Sequence, residues 1–297
     1  MLLTIWLGSV ENDETARDDK RIRIMKICVI QVALVPQEYW SYLTEQFTQS
    51  YKDVLNPDTK IEVRGVSAMP APDPANLHDY RNPYFELLLK TEVVKASLKA
   101  EEDGFDAIIV NCYDDPGVSE ARGVVNIPVL GICEPSLHFV SQLGRKFAAL
   151  VPDLPGQVEV VKGQIAEHGL TSHLLDDGVQ KECKPYIESQ PEASENPQPM
   201  ADRLSEQAVE LVRRGADAII MACGGLGDNC FRSGLHSLEV DGEIVPVVTP
   251  LLVSLKQTEA MLAMKKAYDF PVFSKAHDHK PLDAESKQRV HQGYGIA

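Results

Sequence analysis

One nine-residue pattern occurs twice in this chain. Gly104-Phe105-Asp106-Ala107-Ile108-Ile109-Val110-Asn111-Cys112 returns, 111 residues later, as Gly215-Ala216-Asp217-Ala218-Ile219-Ile220-Met221-Ala222-Cys223. Both copies read G-x-D-A-I-I-x-x-C, and each runs into a glycine-containing turn, YDDPG in the first and GGLGDN in the second. Further on, Val125-Asn126-Ile127-Pro128-Val129 answers Glu243-Ile244-Val245-Pro246-Val247. A repeat of this length and order makes the chain two related halves, and whatever one half folds into the other must approximate.

The local physics of each copy names the fold class. Leu89, Val93, Ala96 and Ala100, and later Leu204, Ala208, Leu211 and Val212, recur at helical spacing. Gly104 and Gly215 follow them in the place where a helix ends. The apolar runs that come next, AIIV and AIIM, are too short for helices and suit fully buried parallel strands. Helix alternating with strand means right-handed βαβ units in an α/β protein. Further strands are expected at 27–32, 61–66, 147–151 and 245–248. The tract 182–200 carries four prolines and reads as a surface loop before a helix opening near Ala201. Residues 271–297 are polar, with one short helix expected over 283–290.

Charge and composition exclude whole classes of function. The 297 residues carry 44 acidic against 29 basic side chains, a net charge of −15, so no basic stripe exists to displace counterions from a nucleic acid or bind an anionic membrane. No apolar run approaches the ~18 residues of a membrane span. Residues 1–24 open MLLTIWLGSV and turn acidic, without the architecture of a signal peptide. They read as a disordered or spurious extension ahead of a first strand starting at Met25, and the expected location is the cytoplasm.

Six cysteines are scattered at 28, 112, 133, 183, 223 and 230, with no C-x-x-C pair and no zinc spacing. Cys28, inside a strand, reads as core, and Cys133, Cys183 and Cys230 have no repeat partner. Cys112 and Cys223 differ. Each stands at the carboxyl end of a buried strand, where α/β sheets collect ligands. Gly117, Gly224, Gly225 and Gly227 then let backbone approach a bound molecule. A thiolate near a carbon acid can remove a proton and a thiol opposite can return one to the other face. Two such groups support racemisation with no cofactor, given a carbonyl beside the reacting carbon. Asp115-Pro116-Gly117 reads as a tight turn rather than a metal site, and Asp114 as a candidate substrate contact. Glu134 and Ser136 fit a helix start. Arg122 and Arg232 could meet a carboxylate or serve only as surface residues, and His277-Asp278-His279 reads as solvated tail.

These residues resemble a known family. NCYDDPG with Glu120-Ala121-Arg122 is similar to the first cysteine motif of the aspartate/glutamate/hydantoin racemase superfamily, nearest its hydantoin racemase branch. Ile127 to Ile132 with Glu134, Met221-Ala222-Cys223-Gly224-Gly225 and Phe273-Ser274-Lys275 resemble later segments of that branch. The resemblance spans roughly residues 25–280. It implies two Rossmann-like domains with parallel sheets related by a pseudo-twofold axis, 25–133 plus 249–297 forming the first and 134–248 the second. It places the active site in the cleft between them.

Cys112 and Cys223 are then the acid/base pair, with Tyr113, Asp114, Gly117, Gly224 and Gly225 around a small-molecule substrate such as a hydantoin or amino-acid derivative. No metal, cofactor, nucleic acid or membrane is implied, and a homo-oligomer stays open. The chain departs from the family in four places. Gln31-Val32-Ala33 replaces an Asn-Pro-Asn-like turn, Val151-Pro152 stands where a Thr often ends a strand, and both 76–84 and the proline-rich tract 182–200 are longer. Two alternatives therefore stay open: a maleate-type isomerase or arylmalonate-type decarboxylase, and a two-lobed binding protein without turnover.

Overall fold

The computed structural model describes residues 24–68, 81–280 and 282–294. The expectations for residues 1–23 and 76–80 lie outside them. The first sheet holds β1 (Met25–Leu34), β2 (Thr59–Val66), β3 (Ala107–Asn111) and β4 (Val129–Leu130), with α1 (Trp40–Tyr51), α2 (Pro83–Glu102) and α3 (Val118–Arg122) as its connections. After α4 (Cys133–Val140) come β5 (Phe147–Asp153), α5 (Gln157–Glu167), β6 (Leu174–Pro185), α6 (Tyr186–Glu195), α7 (Gln198–Arg213) and β7 (Ala218–Met221). Then follow α8 (Gly224–Arg232), β8 (Ser237–Val240), β9 (Glu243–Val248), α9 (Pro250–Tyr268) and α10 (Ala284–Tyr294).

The sheets run β2-β1-β3-β4 and β6-β5-β7-β9-β8. β1 corresponds to β5, β2 to β6, β3 to β7 and β4 to β9, and every pairing among these strands is parallel. β8 adds an antiparallel edge to the second sheet. The protein is therefore α/β with two parallel-sheet domains, as the repeat requires.

The repeated residues do the same work twice. Gly104 and Gly215 leave their helices at φ +79° and +106°, a region that L side chains avoid. The Asp106 carboxylate accepts the Lys26 N–H at the start of β1, at 2.9 Å. The Asp217 carboxylate accepts the Arg145 and Lys146 N–H groups ahead of β5, each at 2.8 Å. The invariant Asp of the pattern thus ties each central strand to its neighbour. The Ala-Ile-Ile runs are wholly buried, and successive side chains face opposite sides of the sheet. Ile109 and Ile220 enter a core between the two sheets, shared with Val29, Ala149, Leu251 and Leu255. Ile108 packs outward with Val93 and Ala100 of α2, and Ile219 with Leu204 and Leu211 of α7. Each isoleucine so buried contributes about 1.5–3 kcal/mol.

Two helices cross between the layers. α4, which follows the first sheet, packs against β7 of the second, and α9, which follows the second, packs against β3 of the first. Cys28 is fully buried in β1, as read. The tract 182–200 is not a loop: β6 continues through Pro185, α6 follows at once, and α7 starts at Gln198. Pro191 sits inside α6 and removes one helical hydrogen bond. Buried Ser189 and Ala193 anchor the helix instead, and Ser189 Oγ donates to the buried Glu182 carboxylate. Among the described residues no helix is long and apolar enough to cross a membrane.

Candidate active site

The two strand ends meet. Cys112 directly follows β3, and Cys223 is the N-cap of α8 with extended backbone (φ −165°, ψ 140°). A Cβ on Gly224 would lie 2.8 Å from Asn111 Oδ1 and 3.2 Å from the Asn111 carbonyl oxygen. Asn111-Cys112 of the first half therefore rests against Cys223-Gly224 of the second, with no room for a side chain between them. Both thiols are half-buried. Burial pushes the Cys112 thiol well above the ordinary range, and negative charge on Asp114, Cys223 and Asp115 raises it further.

Cys223 is raised too, by burial first, but three groups oppose the shift: the Leu226 and Gly225 amides and the Tyr186 hydroxyl. The amides belong to the first turn of α8, whose dipole favours an anion there. Tyr186 comes from α6, and its hydroxyl lies 3.6 Å from Cys223 Sγ, placed to donate to a thiolate. The pair is thus unequal, with Cys223 better equipped to carry the negative charge.

Other residues singled out in the sequence take different places. Gly224 is the contact with Asn111, and Gly225 lies under Tyr186, where a Cβ would collide with the hydroxyl oxygen. Asp114 accepts from Arg81 Nη1 at 2.8 Å and from Gln157 Nε2 at 2.9 Å, while Arg81 Nη2 donates to Gln157 Oε1 at 2.7 Å. That triangle joins the loop after Cys112 to the start of α5. Tyr113 turns into the core between the sheets, its hydroxyl buried beside Cys133 and Ser136 without a well-formed hydrogen bond. Gly117 begins α3 at φ +73°, and a Cβ there would meet the Lys90 carbonyl oxygen at 2.9 Å. Its smallness serves the packing of α3 on α2.

Asp115 explains why Asp-Pro-Gly follows the first cysteine. Its carboxylate accepts N–H groups of Ile132 (2.8 Å), Cys133 (3.0 Å) and Glu134 (3.0 Å), capping α4 from a distant loop. Burial raises its pKa to about 7 against those three amides. The capping role expected of Glu134 and Ser136 therefore belongs to Asp115. Glu134 instead pairs with Arg122 at 2.8 Å, and Ser136 Oγ donates to the Ile132 and Cys133 carbonyls. Arg122 also lies over the Phe273 ring, and Lys275 donates to the Arg122 and Val125 carbonyls. Arg232 bonds Asn229 Oδ1 and the Ser194 carbonyl.

Three groups at the seam had drawn no notice in the sequence. Tyr186 lay in the tract read as a loop. Asn111 was inside the repeat, as the one polar residue at a position its counterpart fills with Ala222. Asp228 was inside the quoted GGLGDN turn. It accepts from the Tyr51 hydroxyl and from Asn111 Nδ2, the latter at 3.4 Å, and burial raises its pKa to about 7.

Comparison with known proteins agrees with this architecture. The model of the family described as Asp/Glu/Hydantoin racemase matches residues 41–258. A hydantoin racemase of Rhizobium meliloti is 29% identical over 190 residues, covering 61% of this chain and 73% of that protein. A hydantoin racemase of Pseudomonas sp. (strain NS671) is 28% identical over 224 residues, covering 75% and 82%. Among solved structures, allantoin racemase from Klebsiella pneumoniae superposes with a TM-score of 0.66 at 20% identity, over 87% of this chain and 94% of that one. With the family matched across most of its length and the fold shared, this chain belongs to the Asp/Glu/hydantoin racemase family.

Proposed function

We propose that this protein is a cofactor-independent racemase of a neutral carbon acid, a 5-substituted hydantoin or similar cyclic ureide, with Cys112 and Cys223 as its two proton-transfer groups. The observation that carries the reading is the meeting of two repeat-equivalent strand ends, each bearing a thiol, through the Asn111–Gly224 contact. In one direction the Cys223 thiolate takes the proton from the reacting carbon, and the electron pair moves onto the flanking carbonyl as an enolate. The Cys112 thiol then protonates the opposite face. Cys223 ends as thiol and Cys112 as thiolate, ready for the other enantiomer. Burial keeps the ionised fraction small but makes the thiolate a stronger base, closer in proton affinity to a carbon acid.

Charge around the pair favours a neutral substrate. Asp114, Asp115 and Glu182 all act to raise the thiol pKa values. The arginines that reach these loops are engaged: Arg81 with Asp114, Arg122 with Glu134, Arg232 with Asn229 and a carbonyl. A free amino acid would bring a carboxylate into that field, where among the described residues the arginines named above are already engaged. The names of the hydantoin and allantoin racemases it resembles point the same way.

Single enantiomers of 5-substituted hydantoins and of the matching free amino acids, followed by chiral chromatography, test the proposal. The hydantoins should racemise at least about 100-fold faster than the amino acids, and Cys112→Ala or Cys223→Ala should each lower the rate by about 10²–10⁴-fold. Equal rates on both substrate classes, or a cysteine variant that keeps wild-type turnover, would contradict it.

A further inference from the structure

One face of α8 is held by the first half of the chain at three successive points. Gly224, Asp228 and Phe231 stand at i, i+4 and i+7, so they share that face. The Asn111 side chain lies along it, with Oδ1 packed against Gly224 and Nδ2 donating to Asp228 Oδ2 over a long 3.4 Å. Asp228 also accepts from the Tyr51 hydroxyl, and the Tyr51 ring stacks on Phe231 at 4.7 Å between centroids. Tyr51 comes from α1 and Asn111 from β3, both connected through the first sheet, whereas α8 follows β7 of the second.

The contact sits where the thiols are. Asn111 is the residue before Cys112, and Gly224 is the residue after Cys223. Each sulfur is therefore one residue from the point where the halves touch, and the place of Asn111 along α8 sets how the two thiols stand to each other. Among the described residues nothing donates to Asn111 Oδ1, a cost in stability that a position kept for packing alone would avoid with an apolar side chain.

The grip is insensitive to the charge on Asp228. Burial raises this carboxyl to about 7 and holds the Tyr51 hydroxyl well above its ordinary range. When Asp228 is ionised, Tyr51 donates to it. When it is protonated, Oδ1 donates to the Tyr51 oxygen while Oδ2 still accepts from Asn111.

Resting on the functional reading above, we propose that Asp228 is a positioning residue of the thiol pair: anchored by Tyr51, it fixes Asn111 along α8 and so holds Cys112 and Cys223 in the alignment that proton transfer on opposite faces needs. It touches neither substrate nor sulfur in this role. Misplacing a reacting group by about 1 Å can cost about 100-fold in rate, so a contact this close to both thiols governs the chemistry through geometry alone.

The test follows L-5-methylhydantoin and L-5-benzylhydantoin in deuterium oxide, with uncatalysed rates subtracted. Two rates are measured: inversion to the D enantiomer, and deuterium entry into the L enantiomer that remains. With the acid in place, the enolate is protonated on its far face and the ratio of entry to inversion is small. With the acid displaced, the enolate waits, the thiol that took the proton exchanges with solvent, and deuterium returns to the same face. This ratio reads alignment within each folded molecule and is blind to the fraction folded.

Asp228→Ala should raise the ratio about tenfold and lower kcat for inversion about 10- to 100-fold, with KM changed less than about threefold. Asp228→Asn keeps an acceptor for Asn111 and a donor for the Tyr51 oxygen, and should hold the ratio within about threefold of wild type. Tyr51→Phe removes one oxygen, keeps the stacked ring, and should raise the ratio about threefold. A wild-type ratio in folded Asp228→Ala overturns the positioning role and leaves the racemase reading intact. A ratio that rises as far in Asp228→Asn as in Asp228→Ala does the same, by making charge rather than contact the working part. If Asp228→Ala shows no cooperative thermal transition, an unchanged ratio in Tyr51→Phe overturns the role. Should wild type invert neither hydantoin, the racemase reading itself falls, and this role with it.

Discussion

At the scale of single residues, the environment of the thiols sets how the protein responds to pH. Burial raises both Cys112 and Cys223, so at neutral pH the folded state holds both mostly protonated. In the proposed mechanism the active form has one thiolate, and its population grows as pH climbs toward the raised pKa. Between pH 6 and 8, kcat/KM should therefore rise about tenfold per pH unit. Initial racemisation rates across that range check this. A flat or falling profile would mean that neither thiol must lose its proton. Which residues flank the thiols was only partly readable. Cys112, Cys223, Gly224 and Gly225 stood out because the repeat marks them, whereas Asn111 and Asp228 act across a contact between halves that no local pattern encodes.

Secondary-structure elements were legible where the physics is local. The periodicity at 89–100 and 204–212, with Gly104 and Gly215 behind it, located α2 and α7, and the apolar runs located β3 and β7. The tract 182–200 was misread because its prolines and acids argue for a loop, while its helix is held by tertiary contacts at Ser189 and Ala193. The resemblance implied Tyr113 and Gly117 around the substrate; in the structure Tyr113 packs into the core and Gly117 lets α3 pack on α2.

The cost of missing α6 was missing Tyr186. Its hydroxyl opposes the burial that raises Cys223, so Tyr186→Phe should move the Cys223 titration up by about one pH unit. The rate at pH 7.5 should fall about tenfold with it. Iodoacetamide alkylation of Cys223 against pH, in a Cys112→Ala background, measures the shift. An unmoved midpoint would leave Tyr186 a packing residue.

For the molecule as a whole, the repeat is both the folding rule and the basis of the proposed chemistry. Two sheets of the same 2-1-3-4 order lean on one shared core, and α4 and α9 each cross to the opposite sheet. We propose that these crossings mark the division into 25–133 plus 249–297 and 134–248, with the thiol seam between. The Arg81–Asp114–Gln157 triangle then fastens the two lobes beside Cys112. An arrangement that brings equivalent thiols together from two halves suits a reaction whose forward and reverse directions are mirror images.

Proton origin tests that account most directly. A single enantiomer of a racemised hydantoin is incubated with the protein in deuterium oxide, and both enantiomers are separated and analysed at early turnover. With two cysteines on opposite faces, the newly formed enantiomer carries solvent deuterium at the reacting carbon while the remaining starting enantiomer keeps its protium. A product that keeps protium, or deuterium entering the starting enantiomer as fast as the product, would mean that one group serves both faces and that the thiol pair does not act as described.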